Sequence, residues 1–226
     1  MIPLKRFYMI RHGETEANAA QIMAGSLDSP LTKTGRDQAR AVHDVIKHLE
    51  IKPTLIVHSN LSRARDTAGI INEALGVPMM EDSDFAEIHA GDLEGAPWSE
   101  CHHFDDFRDM PNGEKFDDFF ERVRRGKNRI IGSNPGPVLI VSHGGVFRAF
   151  AKLYGINMPG VRNCHLHEFI PVPVDKPRDN SQDNFVDKSV GINVHNSQQI
   201  FPWDIYHYDY IDQLLRVRAE SFYNAC

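Results

Sequence analysis

Phe7-Tyr8-Met9-Ile10-Arg11-His12-Gly13-Glu14-Thr15 is the stretch from which the rest of the chain can be read. Four consecutive apolar residues, too few for a helix and closed by a glycine turn, predict a strand buried on both faces, as in a parallel sheet. The run ends on an arginine and a histidine. In an open α/β sheet, ligands bind beyond the carboxyl ends of the strands. The planar fork of the Arg11 guanidinium suits an oxyanion, because it bonds two oxygens at once. The His12 imidazole, kept neutral by the neighbouring positive charge, is a nucleophile within reach of phosphorus. The competing reading is a strand-end histidine hydrogen-bonded to backbone, and these residues alone do not separate the two.

Outward from this strand, apolar periodicity alternates between strand and helix. Thr32 or Thr34 caps a helix that runs to about Leu49, with Ala39, Val42, Val45, Ile46 and Leu49 on one face. Pro53 stops it, and Thr54–Val57 forms a second strand. A helix from Arg63 to about Leu75 is closed by Gly76 and Pro78. Asp117–Ile131 is amphipathic, with Phe116, Phe119, Phe120 and Val123 recurring on its apolar side. Val138–Val141 is a further buried strand, and Gly144–Tyr154 a helix. Such alternation predicts a largely parallel sheet covered on both faces. Residues 172–199 are rich in Pro, Asp, Asn, Ser and Gln and read as a long polar surface loop, with a short hairpin about Val190–Val194. Phe201–Tyr208 returns to strand character, and Ile211–Glu220 reads as helical.

At 226 residues the chain suits one domain with a substantial core, spanning residues 1–226 with the 172–199 loop as an insertion. A net charge of −6 argues against a nucleic-acid partner. It leaves room for an anionic substrate gripped by a few arginines. Three cysteines, odd in number and without CxxC spacing, make a disulfide framework an unsuitable reading, and a reducing cytoplasm is the expected setting. No apolar run approaches the ~20 residues of a membrane span, and the N-terminal residues lack a signal-peptide core.

Three further clusters agree with the first. Val57-His58-Ser59-Asn60-Leu61-Ser62-Arg63-Ala64-Arg65 puts arginines at a helix start just past the second strand, where free N–H groups favour phosphate. Alone, Arg63 and Arg65 would read as solvated surface residues. Ile140-Val141-Ser142-His143-Gly144-Gly145 repeats the opening order of strand, histidine, glycine and helix. Two strand-end histidines in one parallel sheet can face a common cleft. In Phe85-Ala86-Glu87-Ile88-His89-Ala90-Gly91-Asp92-Leu93-Glu94-Gly95, Glu87 is the best proton donor to a leaving alcohol; Asp92 and Glu94 read as solvated loop charges. Cys101-His102-His103 lacks a partner cluster and reads as exposed loop, not a metal site.

The ordered set resembles the histidine phosphatase superfamily, the group containing cofactor-dependent phosphoglycerate mutases. It comprises Arg11-His12-Gly13-Glu14-Thr15 with Asn18, Pro30-Leu31-Thr32 with Gly35, Ser59–Ala64 with Thr67-Ala68, Glu87 before Gly91 and Glu94-Gly95, and Ser142–Gly145. The resemblance implies a phosphoglycerate mutase-like three-layer α/β/α sandwich with a mostly parallel central sheet. It implies His12 as the phosphorylated nucleophile and Glu87 as general acid. Arg11, Arg63, Asn18 and His143 would bind the phosphoryl group, and Gly144 would line the substrate site. Arg65 lies outside the motif and reads as surface.

The expected activity is hydrolysis of a small phosphorylated metabolite by a compact, phosphatase-type member, because the interval from Glu87 to His143 lacks the long insertion of the mutases. A mutase using 2,3-bisphosphoglycerate and a non-catalytic scaffold are the alternatives. Otherwise no cofactor or metal is expected; a homodimer is compatible. Trp98, Phe104, Phe107, Arg108 and Lys115, with His165 and His167 on one face of a late strand, are candidates for recognising the rest of the substrate, although core packing is the better reading of Phe104 and Phe107.

Overall fold

The computed structural model describes residues 5–101, 108–154, 161–171, 203–209 and 215–218. The expected loop 172–199, its hairpin, and His102, His103, Phe104 and Phe107 lie outside the described residues.

The opening run is a strand, β1 (Phe7–Arg11). Its side chains alternate between two apolar layers. Phe7 and Met9 pack with Phe119, Val123, Val146 and Phe150, whereas Tyr8 and Ile10 pack with Ala39, Val42, Ile46, Ala64 and Ile71. A strand with core on both sides must be apolar throughout, which is why the run does not alternate with polar residues.

The other elements in chain order are α1 (Glu16–Ala19), α2 (Lys33–His48), β2 (Leu55–His58), α3 (Ser62–Leu75), β3 (Met79–Glu81), α4 (Phe116–Ser133), β4 (Val138–Ser142), α5 (Gly144–Tyr154), β5 (Leu166–Pro171), β6 (Trp203–Asp209) and β7 (Leu215–Arg218). The strands form one sheet in the order β3-β2-β4-β1-β5-β6-β7. β1 to β4 pair in parallel, and β5, β6 and β7 extend the sheet by antiparallel pairing. Five of the seven strands therefore point the same way, as β6 returns to the direction of β1. α2 and α3 cover one face of the sheet, α4 and α5 the other. This is the expected three-layer sandwich.

Thr32, not Thr34, caps α2, its side chain accepting from Gly35 N–H at 3.0 Å. Gly76 ends α3 in the left-handed conformation, φ +63°. One element is added and one expectation changes. β3 follows Pro78 at the sheet edge, where three residues are too few to show periodicity. Ile211–Glu220 is not a helix over its described part: Leu215–Arg218 is a strand paired with β6. Its Leu-Arg-Val-Arg order has period two, and pairing with a neighbouring strand satisfies backbone groups that a lone helix would satisfy locally.

The ends of β1, β2 and β4 meet at one edge of this sheet. His12 N–H donates to Ser142 O at 3.0 Å, and Ser59 N–H to Val141 O at 3.1 Å. The loops carrying His12, Ser59 and His143 are thereby tied together before any side chain is considered.

Candidate active site

His12 leaves β1 into a turn that only glycine permits. A Cβ on Gly13 would stand 2.4 Å from the Gly35 carbonyl oxygen, and one on Gly35 2.0 Å from the Glu14 carbonyl oxygen. The start of α2 is thus pressed backbone to backbone against the His12 turn. From the other side, Thr67 on α3 accepts from Gly13 N–H at 3.0 Å and donates to Arg63 O at 2.7 Å.

The His12 ring lies 2.7 Å, through Nδ1, from the carbonyl oxygen of Gly13. A carbonyl can only accept, so Nδ1 carries the hydrogen and Nε2 keeps its lone pair. Burial, then Arg11, then Arg63 hold the His12 pKa well below the usual histidine value. The ring is fixed, neutral and nucleophilic at Nε2.

His143 follows β4 and its ring centroid lies 5.2 Å from that of His12, the planes inclined by 55°. Arg63 Nε donates to His143 Nδ1 at 3.3 Å, which places the His143 hydrogen on Nε2, 2.8 Å from Ser59 Oγ. Burial, Arg63, His12 and Arg11 also hold His143 well below its ordinary pKa. The remaining Arg63 nitrogens are anchored on Gly25 O at 2.7 Å and Leu27 O at 2.8 Å. At the α3 N-terminus the Ser62 amide is already taken: Asp28 accepts from both Ser62 N–H and Ser62 Oγ.

Arg11 is held through Nη1 by Val161 O at 2.8 Å, and Cys164 N–H donates to Arg11 O at 2.9 Å. Arg11 Nε is buried and has no hydrogen-bond partner among the described residues. It lies 4.0 Å from where a Cβ on Gly144 would stand. A buried guanidinium donor without a protein acceptor, beside two neutral imidazoles, is chemically suited to an oxyanion.

Asn18 belongs to the capping box of α1. Its Oδ1 accepts from Thr15 N–H at 3.3 Å and from Asn163 Nδ2 at 3.1 Å. Asn163 Nδ2 also donates to His12 O at 2.8 Å.

Glu87 accepts through Oε1 from Ile88 N–H and through Oε2 from Gly145 N–H, both at 3.0 Å. Burial opposes the charged form of Arg11 and of Arg63, and in each the opposite charge that most supports it is Glu87. Glu87, both arginines and both histidines therefore share one electrostatic field.

Arg65 is exposed and pairs with Asp66, as expected. Asp92 is exposed and accepts from Asn112. Glu94 is not a solvated charge: its Oε1 accepts from Ser26 N–H, Ser26 Oγ and Ala90 N–H, stapling the loop that carries Gly25 to the loop after Glu87. His165 and His167 do not face solvent. Both are buried: the His167 ring lies 5.0 Å from that of Phe147 on α5, and the His165 ring 4.9 Å from that of His167. Trp98, Arg108 and Lys115 are exposed. No group of three or more metal-ligating side chains occurs among the described residues, and none of their helices is long and apolar enough to cross a membrane. Asn163 and Arg122 were not singled out from the sequence. Both act on main-chain atoms far away in the chain, which leaves no local signal.

The family model described as "Histidine phosphatase superfamily (branch 1)" matches residues 7–169. An adenosylcobalamin/alpha-ribazole phosphatase of Salmonella typhimurium is 35% identical over 173 residues, 71% of this chain and 84% of that protein. A probable phosphoglycerate mutase of Serratia proteamaculans is 38% identical over 152 residues, 61% and 68% of the two chains. Among solved structures, a mycobacterial glucosyl-3-phosphoglycerate phosphatase in complex with VO3 superposes with a TM-score of 0.66 at 30% identity, covering 73% of this chain and 91% of that one.

Proposed function

Given that this chain belongs to branch 1 of the histidine phosphatase superfamily, we propose that it hydrolyses a small phosphomonoester through a phosphohistidine on His12. The observation that carries this reading is the pairing of two buried, neutral imidazoles 5.2 Å apart between two guanidiniums.

In the first step the His12 Nε2 lone pair forms a bond to phosphorus as the bond to the leaving alkoxide breaks. A protonated Glu87 gives its proton to that alkoxide, which departs as the alcohol. In the second, Glu87 as carboxylate takes a proton from water, whose oxygen bonds to phosphorus as the N–P bond breaks. Phosphate leaves and His12 is restored.

Arg11 and Arg63 offset charge on the equatorial oxygens, and Asn18 donates to one of them. At rest the His143 Nε2–H is turned to Ser59 Oγ; in the occupied site it is the donor offered to a phosphoryl oxygen. Gly144 permits close approach beside Arg11. Phosphoryl transfer depends chiefly on positioning and charge stabilisation, and removing one such donor costs ~3 kcal/mol of transition-state stabilisation. With this charge supplied by arginine, turnover is expected to need neither a divalent cation nor an organic cofactor. Nothing in this chemistry calls for a membrane or a nucleic acid, and a cytoplasmic setting suits it.

Turnover of p-nitrophenyl phosphate by the wild type, lost in His12→Ala, is the expected result; an enzyme with no activity on any phosphomonoester would return the chain to a scaffold role. The mutase-named relative gives a second reading its basis. Incubation with 3-phosphoglycerate and catalytic 2,3-bisphosphoglycerate separates them. Release of free phosphate supports the hydrolase, and 2-phosphoglycerate formation the mutase.

A further inference from the structure

Arg122, on the inner side of α4, is bonded at all three guanidinium nitrogens. Nη1 donates to Asp84 O at 3.1 Å and Ala86 O at 2.8 Å, and Nη2 to Glu87 O at 3.0 Å. Nε and Nη2 also form a two-pronged pair with Glu114, at 2.7 and 2.9 Å. The guanidinium lies 4.7 Å over the Phe119 ring, and its side chain is 17% exposed. Glu114 continues the brace: its carboxylate accepts from His89 N–H at 3.3 Å, and its own N–H donates to His89 O at 2.8 Å.

Every one of these main-chain contacts falls on residues 84–89, the segment that carries Glu87. That segment lies in neither a helix nor a strand beyond the single turn Ser83–Phe85, so no ladder of backbone bonds fixes it. Arginine is the side chain able to serve this geometry, since a planar fork reaches several carbonyls and a carboxylate together while lysine offers one nitrogen. Arg125 and Arg129 on the same helix also hold this region, through Asp84 and Asp82, but their side chains are 62% and 48% exposed. Such exposed pairs contribute little.

We propose that Arg122, braced by Glu114, is the positioning residue that sets the proton-donating carboxyl of Glu87 against the leaving oxygen. The proposal rests on Glu87 being the general acid. It touches no substrate atom; its charge also helps to lower the His143 pKa, an effect shared by every substrate, so the positioning role is read in the difference between substrates that need the acid and those that do not. An alkyl phosphate departs as a poor alkoxide that must be protonated, whereas p-nitrophenolate leaves without help.

The test compares kcat/KM of full-length variants on p-nitrophenyl phosphate and on a simple alkyl phosphate. A misplacement near 1 Å costs on the order of 100-fold, so Arg122→Ala should lose about 10- to 100-fold on the alkyl ester and under about 3-fold on the aryl ester. Glu87→Gln should show the same selectivity, and adding Arg122→Ala to it should cost the alkyl ester little more. Arg125→Ala should show none. Arg122→Lys keeps the charge and most of the packing, which guards against a variant that fails to fold. It too should be selective, because charge without the fork cannot hold the loop.

Equal losses on both esters in Arg122→Ala, or an Arg122→Lys enzyme indistinguishable from wild type, overturn the positioning role while Glu87→Gln remains selective. A Glu87→Gln enzyme without selectivity overturns the acid assignment, and this proposal with it.

Discussion

Gly145 N–H donates to Glu87 Oε2 at 3.0 Å, seating the carboxylate against the first turn of α5, two residues beyond His143. Glu87 and the second histidine are thus held by the same helix start. On the proposed mechanism, replacing Glu87 by Ala removes the proton donor as well as the acceptor for this amide. A drop of roughly 100-fold or more in kcat on an alkyl phosphate is expected, the usual contribution of general acid catalysis. Steady-state kinetics check it; an unchanged kcat would contradict the assignment.

The two buried imidazoles make stability depend on pH with a definite sign. Burial and the nearby arginines hold both below their ordinary value, so the folded chain binds fewer protons than the unfolded one over that interval. Stability is then complete above the unfolded histidine pKa of about 6.5 and declines as pH falls below it. Thermal melts at pH 7.5 and 5.5 should show a larger drop for the wild type than for a His12→Asn, His143→Asn double variant. Equal drops would contradict the shift.

Gly35 has no space for a side chain, since its Cβ would meet backbone atoms of Glu14. Gly35→Ala should destabilise the fold by about 1–3 kcal/mol, typical of overpacking, and should lower activity by displacing the His12 turn. Urea unfolding and kcat/KM measured together test this; a variant of wild-type stability and activity would show that the turn yields freely.

Asn163 donates to His12 O and Asn18 Oδ1 from a single nitrogen. Asn163→Ala removes both and leaves Asn18 held only by the Thr15 capping box. Losing such bonds costs about 1–3 kcal/mol, so inhibition by vanadate or inorganic phosphate should weaken several-fold or more. Titration of either anion provides the measurement, and an unaltered inhibition constant would remove Asn163 from the anion site.

Much of this was legible because the informative residues lie at the ends of recognisable strands. Phe7–Ile10 and Val138–Val141 are apolar enough to announce two-sided burial, and their parallel pairing brings Arg11-His12 beside His143. Arg63, the second residue of α3, was legible only through the ordered family motif, since alone it reads as a surface charge. What escaped depends on partners distant in the chain. Arg122 looks like any charge on an amphipathic helix until residues 84–89 fold over it. Glu94 looks like a loop carboxylate until Ser26 arrives. His165 and His167 show strand alternation, but only the packing of Phe147 decides which face is buried. Leu215–Arg218 is too short for its period to be told from a helix turn without the neighbouring β6.

The most direct measurement is to catch the covalent intermediate. Glu87→Gln, quenched during turnover of 32P-labelled p-nitrophenyl phosphate, should accumulate label that is lost in acid and kept in base. Peptide mapping should place it on His12, and His12→Ala in the same background should carry none. Label on any other residue, or continued turnover with no label at all on His12, would contradict the account.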